Sequence, residues 1–371
     1  MASTKRYYDI DWLRTVIVLS IIPFHATIIF NQYPGAIMFV KDTMQVNSLV
    51  FLSSIVDRFH MVTLFLLSGM AIYFSLLKRN RKIFIKERFM KLFIPLLTGS
   101  LLLNPVTTYI WSLNQDKKES FLNHYIGFFT RDLGAFDGLN GGYTPAHLWF
   151  ILYLFVFSLL GLPIYKWLMK AKSKNVLDTL AAFFYKPCRL LLLAIPYCLF
   201  YLIEILDEKN PIAYFYVVLI GFLFATREEY LKAICRDKWI YLTLTIILYI
   251  LFFSCRPSDG ASMVIMYLFG FIVKLTKIIP AFAMIGLFHE YINKNSKALN
   301  YFSGACFTVY IVHMIIVTAV GFWIIQYGIN PVLKFFIITI ISYILSFGVY
   351  EIVRKNRILG LLFGVNVMQR R

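Results

Sequence analysis

The sequence is poor in charge, and above all in acidic residues. Charged side chains make up 15% of the 371 residues, with 19 acidic against 37 basic ones, and 60% of the residues are hydrophobic. Soluble domains carry about 25% charged residues, so this composition excludes an ordinary soluble protein. Apolar runs recur along the whole chain, and we predict a single polytopic membrane domain over residues 1–371.

Cysteine motifs are also lacking. The five cysteines are scattered without a CxxC pair, which argues against a disulfide framework and against a metal site. No small-residue cleavage site follows the first apolar run, so we interpret that run as a retained helix rather than a signal peptide. We predict no bound metal and no permanently bound cofactor.

Hydropathy divides the chain into about ten predicted transmembrane helices, which defines an all-α integral membrane fold. The predicted spans are residues 11–30, 59–77, 92–113, 147–169, 189–205, 211–226, 239–254, 267–288, 302–325 and 331–353. The segments Asn47 to Asp57 and Gly260 to Tyr267 look like helical extensions or interfacial pieces, so nine or eleven spans also remain possible.

Basic residues set the predicted orientation. An even number of spans places both termini on one side, and a cytoplasmic N terminus puts most of the 37 basic residues inside. Residues 354–371 then form a short basic cytoplasmic tail. The net charge of +18 is explained by this topology and by attraction to anionic lipids. Because the charge is divided among short loops, we predict no nucleic-acid partner.

Three predicted loops differ in charge, polarity or length from the other connections between spans. The cytoplasmic segment KRNRKIFIKERFMK, residues 78–91, carries seven basic residues and the single acid Glu87. A polyanion could dock on this basic loop, or the loop could simply hold the membrane surface. On the external side, Asn31 to Asn47 is moderately polar, and Asn114 to Ala146 is long and includes GAFDGLNGGYTP. Long loops are often functional, and these two could cover a site that opens outward.

The first span, which contains DWLRTVIVLSIIPFH, carries the clearest set of polar residues. On a helix, Arg14 and His25 lie within about 20° of one face and about 16 Å apart along the axis. Asp11 lies three positions before Arg14 and can pair with it. An extended ligand could bridge Arg14, at the cytoplasmic interface, and His25, past the middle of the membrane. Alternatively, Arg14 reaches lipid phosphate and His25 makes a structural hydrogen bond.

Other polar residues lie within or beside later spans. His60 lies near the external start of the second span, and His147 opens the fourth. Tyr310 precedes His313 by three positions in the ninth span, so the two share a polar face, for which packing and an active site both remain open. The LLSGM segment, residues 66–70, contains a serine–glycine pair that predicts close helix packing.

Together these stretches resemble the acyltransferase 3 family of membrane-bound acyltransferases, especially its branch called glucans biosynthesis protein C. The similar segments, between residues 7 and 313, are YYDIDWLRTVIVLSIIPFH, FHMVTLFLLSGMAIYFSLLKR, FIKERFMKLFIPLL, HLWFILYLFVFSLL and FTVYIVH. The most specific element is an arginine or lysine followed by ten residues and a histidine, which Arg14 and His25 satisfy.

The resemblance implies an enzyme that moves an acyl group, acetyl or succinyl, from cytoplasmic acyl-coenzyme A to a hydroxyl of an extracytoplasmic glycan or other cell-envelope acceptor. By the same resemblance His25 looks like the catalytic histidine and Arg14 like its partner in the motif. We place Asp11 in the same catalytic set because it can pair with Arg14. Arg88 and Lys91 look like the RxxR motif of the cytoplasmic loop. Lysine at the second position keeps the charge but gives up bidentate phosphate geometry.

This implied activity assigns roles to the remaining polar residues. Arg14 and the basic loop, including Arg81 and Lys82, would bind the phosphates of acyl-coenzyme A. His25 would act either as general base or as a carrier of the acyl group. Residues that could help on the acceptor side are His60, His147, Tyr310 and His313.

The implied location is a bacterial cytoplasmic membrane, with the lipid bilayer as a partner. Two other classes remain as alternatives: a transporter or exporter of a cell-envelope precursor, and a non-catalytic sensor of an envelope ligand. Against a transporter, the hydropathy shows no internal repeat and no pair of broken spans of the binding-site type.

Overall fold

A computed structural model describes residues 7–31, 38–131, 139–203, 205–258 and 260–365. Parts of four predicted features lie outside the described residues: the basic residues before the first span, residues 32–37 of the first external loop, the GAFDG stretch, and residues 366–371 of the tail. Every regular element in the described part of the chain is helical, so the predicted all-α fold is confirmed.

The described residues form sixteen α-helices. They are α1 (Tyr8–Ile28), α2 (Asn47–Lys78), α3 (Arg81–Arg88), α4 (Ile94–Thr98), α5 (Asn104–Asn114), α6 (Phe121–Thr130), α7 (Trp149–Leu160), α8 (Leu162–Leu168), α9 (Lys174–Tyr185), α10 (Ala194–Phe200), α11 (Pro211–Thr226), α12 (Glu228–Ser254), α13 (Met263–Tyr291), α14 (Lys297–Ile324), α15 (Pro331–Val353) and α16 (Arg357–Leu362). Two π-helical turns, Phe89–Phe93 and Gly99–Leu103, join α3, α4 and α5 into one run.

Seven helices within the described residues are long and apolar enough to cross a membrane: α1, α2, the run Arg81–Asn114, α12, α13, α14 and α15. Two bent pairs raise the number to nine if each is one span. The pair Ala146–Leu160 and Leu162–Leu168 bends by 56°, and the pair Ala171–Tyr185 and Arg189–Phe200 bends by 116°. The chain is therefore a multi-pass membrane protein.

The ten predicted spans all fall on helices, but not all are straight crossings. The predicted span 147–169 corresponds to the first bent pair. The predicted span 189–205 overlaps only the second arm of the other pair, Arg189–Phe200, and the first arm, Ala171–Tyr185, lies between two predicted spans. The predicted span 211–226 is the 16-residue helix α11, which is about 24 Å long and shorter than a hydrocarbon core of about 30 Å. The segment Asn47 to Asp57 continues α2, as one of its two interpretations predicted.

The helices group into two compact units. The first unit contains the described residues of Met1–Arg14, Arg58–Phe84 and Val156–Leu299. In this unit the backbones of α2 and α11 approach each other closely. A Cβ atom added to Gly69 would overlap the carbonyl oxygen of Val218 and lie 2.7 Å from the backbone nitrogen of Phe222. The close packing predicted for the LLSGM segment is confirmed.

The second unit contains the described residues of Thr15–Asp57, Ile85–Phe155 and Asn300–Arg371. Its buried core is formed by side chains of α1, α14 and α15, including Ile22, Phe24, Ile28, Ala305, Val309, Phe335 and Ile338. Residues 38–46 pack onto the end of α1. There the Lys41 ammonium donates to the carbonyl oxygens of Ile28 and Asn31 at 2.7 Å each, and burial lowers the pKa of Lys41 to about 8.

A buried ion pair holds the same segment to α15. The Lys334 ammonium donates to Asp42 Oδ2 at 2.7 Å, and their side chains are only 3% and 2% exposed. Lys334 also donates to the carbonyl oxygen of Ile325 at 3.0 Å. Each charge is therefore compensated inside the second unit, as burial requires.

Pro23 removes one backbone hydrogen bond of α1, and a tyrosine hydroxyl donates to the carbonyl oxygen that is left without its donor. Pro23 has no N–H group, so the carbonyl oxygen of Leu19 loses its helical donor. The hydroxyl of Tyr343, on α15, donates to this oxygen at 2.7 Å. This hydrogen bond ties α15 to α1 six residues before His25.

We expect Tyr343→Phe to lower the free energy of unfolding by about 1–2 kcal/mol, because a backbone carbonyl is left unsatisfied away from water. The measurement is denaturant unfolding in detergent micelles. The control is Tyr327→Phe, at a side chain that is 61% exposed. Equal effects of the two substitutions would contradict a role for the hydroxyl of Tyr343.

Candidate active site

Four of the polar residues singled out in the sequence meet in the second unit. His25 comes from α1, His147 from the 3-10 turn Ala146–Leu148, and Tyr310 and His313 from α14. The ring centroids of His25 and His313 are 5.2 Å apart, and those of His147 and His313 are 4.7 Å apart. Tyr310 lies 5.7 Å from both His147 and His313. We call these four residues the histidine cluster.

The histidine cluster is buried. His25 and His147 are each 8% exposed, Tyr310 is 5% exposed and His313 is 1% exposed. Phe24 lies 4.9 Å from His25 and Phe150 lies 5.6 Å from Tyr310, as ring centroids, so apolar rings flank the polar groups. Three imidazoles gathered in such surroundings are expensive to bury, and in membranes such groups mark functional sites.

Backbone carbonyls fix the protons of two imidazoles. His313 Nδ1 lies 2.6 Å from the carbonyl oxygen of Tyr310. An oxygen of this kind only accepts, so Nδ1 carries the hydrogen and Nε2 of the neutral ring carries the lone pair. His147 is the reverse case, because its Nε2 donates to the carbonyl oxygen of Ile311 at 2.9 Å. Within the described residues, His147 Nδ1 is buried and makes no hydrogen bond.

The turn that carries His147 is held in a strained backbone conformation. Ala146 has φ +44°, a left-handed value that is costly for alanine. The side chain of Asn104 donates to the carbonyl oxygen of Thr144 at 2.8 Å, and Thr144 Oγ1 accepts from the N–H of Ala146 at 2.9 Å. The hydroxyl of Tyr310 donates to the carbonyl oxygen of His147. These contacts position the His147 ring, and strain of this kind concentrates at functional sites.

The residues predicted to lie at the cytoplasmic end of the membrane are not part of the histidine cluster. Asp11 accepts from Arg14 at 2.7 Å, so the predicted pair is confirmed, and the Arg14 side chain is 39% exposed. Asp11 and Arg14 belong to the first unit, as do His60, which is buried, and Arg81 and Lys82, which are exposed. His60 therefore belongs to a different unit from the histidine cluster.

The RxxR-like pair of the second unit borders an irregular helix. Arg88 ends α3, and Lys91 lies in the π-helical turn Phe89–Phe93, 3.8 Å from Glu87. Pro95 has no N–H to offer the carbonyl oxygen of Lys91. π-Helical turns inside α-helical runs frequently occur at functional sites.

The predicted basic tail is partly folded. Within it, α16 packs against α4. A Cβ atom added to Gly364, which has φ +68°, would lie 3.2 Å from the carbonyl oxygen of Lys91. Residues 357–364 are therefore part of the second unit beside the basic loop.

An acid–imidazole pair in the first unit was not singled out from the sequence. The carboxylate of Asp9, 2% exposed, accepts from His289 Nδ1 at 2.6 Å. Asp9 lies in the first turn of α1 and His289 in the last turn of α13, where helix dipoles favour an anion and a cation respectively. The position of Asp9 within YYDIDWLR was the only local signal.

The described residues contain no group of three or more histidine, cysteine, aspartate or glutamate side chains that could hold a metal ion. The histidine cluster offers acid–base or nucleophilic groups. A buried imidazole with a lone pair can remove a proton from a hydroxyl or attack a carbonyl carbon.

Comparison with known proteins gives one match. The model of the acyltransferase 3 family, described as an acyltransferase domain, matches residues 7–351. No curated protein and no solved structure matches the chain. The match covers nearly the whole chain, including α1 and the histidine cluster. The chain therefore belongs to the acyltransferase 3 family and is a membrane acyltransferase.

Proposed function

We propose that this acyltransferase moves an acetyl or succinyl group from cytoplasmic acyl-coenzyme A to a hydroxyl of an extracytoplasmic glycan or other cell-envelope acceptor. The bacterial cytoplasmic membrane is the proposed location. The observation that carries the proposal is the burial of His25 against His313 in the histidine cluster. Family membership supports the reaction type, and the polar cluster inside a membrane protein supports its place in the chain.

The cytoplasmic cations would bind the donor. Coenzyme A carries several phosphate charges on a nucleotide and a long flexible arm that ends in the thioester. Arg14, Arg88 and Lys91 are partly exposed, and Arg81 and Lys82 are exposed, so each side chain is accessible, as binding of a phosphate requires. The rise of about 16 Å along α1 from Arg14 to His25 is within reach of the arm. The thioester would thus approach His25 while the nucleotide stays in the cytoplasm.

The chemistry would centre on His25. As general base, His25 removes the proton of the acceptor hydroxyl while the hydroxyl oxygen attacks the thioester carbonyl carbon. The new C–O bond forms, the C–S bond breaks, and the proton passes to the coenzyme A thiolate. His313, with its lone pair on Nε2, would assist by taking up or orienting the His25 proton. In the alternative route, His25 is itself acylated and then deacylated by the acceptor.

The test is purified protein in liposomes without an ion gradient, supplied with labelled acetyl- or succinyl-coenzyme A and a glucan. We expect release of free coenzyme A thiol and label in the glucan. A transporter or exporter would give no thiol release without a gradient, and a sensor would bind the donor without turnover. Liposomes that lack the protein measure spontaneous thioester hydrolysis.

A second measurement identifies the acceptor. The resemblance to the glucans biosynthesis protein C branch favours succinyl transfer to a glucan. Mass spectrometry of cell-surface glycans from cells with and without this protein should then show a mass difference of a succinyl group on glucan. An acetyl difference on another surface polysaccharide would keep the acyltransferase but exclude the proposed branch.

A further inference from the structure

Helix α6 runs back alongside the membrane-spanning run from which it emerges. The ring of Phe121, at its start, lies 5.3 Å from that of Tyr109 on α5. Further along α6, His124 Nε2 lies 3.0 Å from Thr108 Oγ1. Still further, the hydroxyl of Tyr125 donates to the carbonyl oxygen of Leu101 at 3.2 Å. The contact positions on the run thus move inward, away from Asn114, as α6 proceeds.

Leu101 lies well inside the span. It precedes the end of the run at Asn114 by thirteen residues, a rise of about 20 Å along a helix. Pro105, four residues further on, has no N–H to donate to the carbonyl oxygen of Leu101, and the hydroxyl of Tyr125 donates to this oxygen. A backbone oxygen at this depth has no water to bind, so the hydroxyl meets a requirement set by the lipid.

The exposed surface of α6 is mainly apolar. Its exposed apolar side chains are Phe121 at 44%, Leu122 at 67%, Ile126 at 54% and Phe129 at 40%. Its exposed polar residues are Asn123 and Thr130, and the Thr130 hydroxyl donates to the carbonyl oxygen of Ile126 at 3.1 Å. Leu122, Ile126 and Phe129 follow the spacing of one helical face. Leu101 and Leu102 of the adjacent run are also exposed, at 41% and 55%. A soluble loop would not present such a face to water.

An arginine after the last residue of α6 lies back along the polar side of this helix. Arg131 follows the last residue of α6, yet its guanidinium pairs with Glu119, before the first residue. The side chain passes over Gly127, where an added Cβ would lie 2.8 Å from the guanidinium carbon. On the way, Arg131 Nη1 lies 3.3 Å from His124 Nδ1.

Glu119 accepts hydrogen bonds from three side chains on this polar side. Its carboxylate accepts from His124 at 2.7 Å and from Ser112 at 2.9 Å, besides Arg131. Burial alone would raise the pKa of Glu119, but the hydrogen bonds from these three side chains outweigh it and lower the pKa to about 2. Glu119 is therefore an anion at neutral pH, and it attracts the arginine toward the end of α6 nearer to water.

We infer that α6 is a re-entrant helix embedded in one leaflet of the membrane, with lipid hydrocarbon against Leu122, Ile126 and Phe129 and with Arg131 snorkelling back toward the interface. In the predicted orientation this is the outer leaflet. Long basic side chains at the deep end of a membrane segment extend their charge toward water in this way. A helix of ten residues enters without crossing and keeps its backbone groups paired.

The inference is tested by spin labels on the purified protein in proteoliposomes. In a cysteine-free background, single cysteines replace Leu122, Ile126 or Phe129 and are labelled with a nitroxide. Leu102→Cys is the lipid-facing control, and Lys118→Cys, in the polar segment before α6, is the water-facing control. The readout is the ratio of collisions with oxygen, which concentrates in lipid, to collisions with a water-soluble nickel chelate.

We expect this collision ratio to rise from Leu122 to Ile126 to Phe129 and to approach the value at Leu102. A ratio at Ile126 equal to that at Lys118 would place α6 in water and overturn the inference. Protection of Ile126 from both oxygen and nickel would indicate a protein partner, which also overturns it. The measurement needs no catalytic activity, so its result is independent of the proposed function.

Discussion

Replacing His25 by alanine is expected to abolish acyl transfer while the protein still inserts and folds. A positioned general base contributes about 10²–10⁴-fold to a rate, and loss of an acyl-carrying nucleophile removes the reaction route itself. The measurement is the initial rate of thiol release from acyl-coenzyme A in proteoliposomes at saturating acceptor. We expect a decrease of at least about 10²-fold in the His25→Ala protein.

A matched substitution separates catalysis from loss of a buried imidazole. In His124 both ring nitrogens have side-chain partners, Glu119 and Thr108, so His124 has no nitrogen for chemistry. We expect His124→Gln to retain most of the rate of thiol release per amount of folded protein. Size-exclusion chromatography and unfolding without ligand measure the amount of folded protein. Full activity in the His25→Ala protein would refute the assignment of His25.

A single-turnover experiment separates the two roles of His25. Labelled acyl-coenzyme A is added without acceptor, and the protein is then denatured. Label that persists on the protein with His25, and is absent from the His25→Ala protein, supports an acyl-histidine. Its absence, together with normal turnover when acceptor is present, supports direct attack by the hydroxyl with His25 as base.

The local patterns of the sequence predicted those features that depend on helix periodicity. The Asp11–Arg14 pair and the glycine packing of the LLSGM segment need only spacing along one helix, and both are confirmed. The shared polar face of Tyr310 and His313 follows from the same periodicity. Their meeting with His25 and His147 could not be predicted from spacing, because it depends on how three separate segments pack.

Features set by distant pairing or by bends had no local signal. The Asp42–Lys334 ion pair joins residues 292 positions apart. The bent pairs are long and apolar enough to pass for straight spans, so hydropathy alone cannot distinguish them. The apolar run of α6 is too short for a span, so hydropathy does not separate it from the rest of the long external loop between Asn114 and Ala146.

Replacing Gly69 by alanine is expected to have the largest effect on stability. A Cβ atom at Gly69 would overlap a backbone oxygen of α11, and a Cβ atom at Gly221 would lie 2.8 Å from the backbone carbonyl carbon of Leu66 on α2. Backbone atoms cannot rotate away as side chains do, so the two helices must separate. We expect Gly69→Ala to lower the free energy of unfolding by about 3 kcal/mol or more.

The control for this prediction is another helical glycine, Gly270 on α13, where an added Cβ atom meets nothing within 4 Å among the described residues. Gly270→Ala should be neutral or stabilising by up to about 1 kcal/mol, because alanine favours the helix. Because Gly69 and Gly221 share one crossing, Gly221→Ala in the Gly69→Ala background should lower stability less than it does alone. If Gly69→Ala unfolds like Gly270→Ala, or if the two substitutions are additive, the backbones of α2 and α11 do not meet at these glycines.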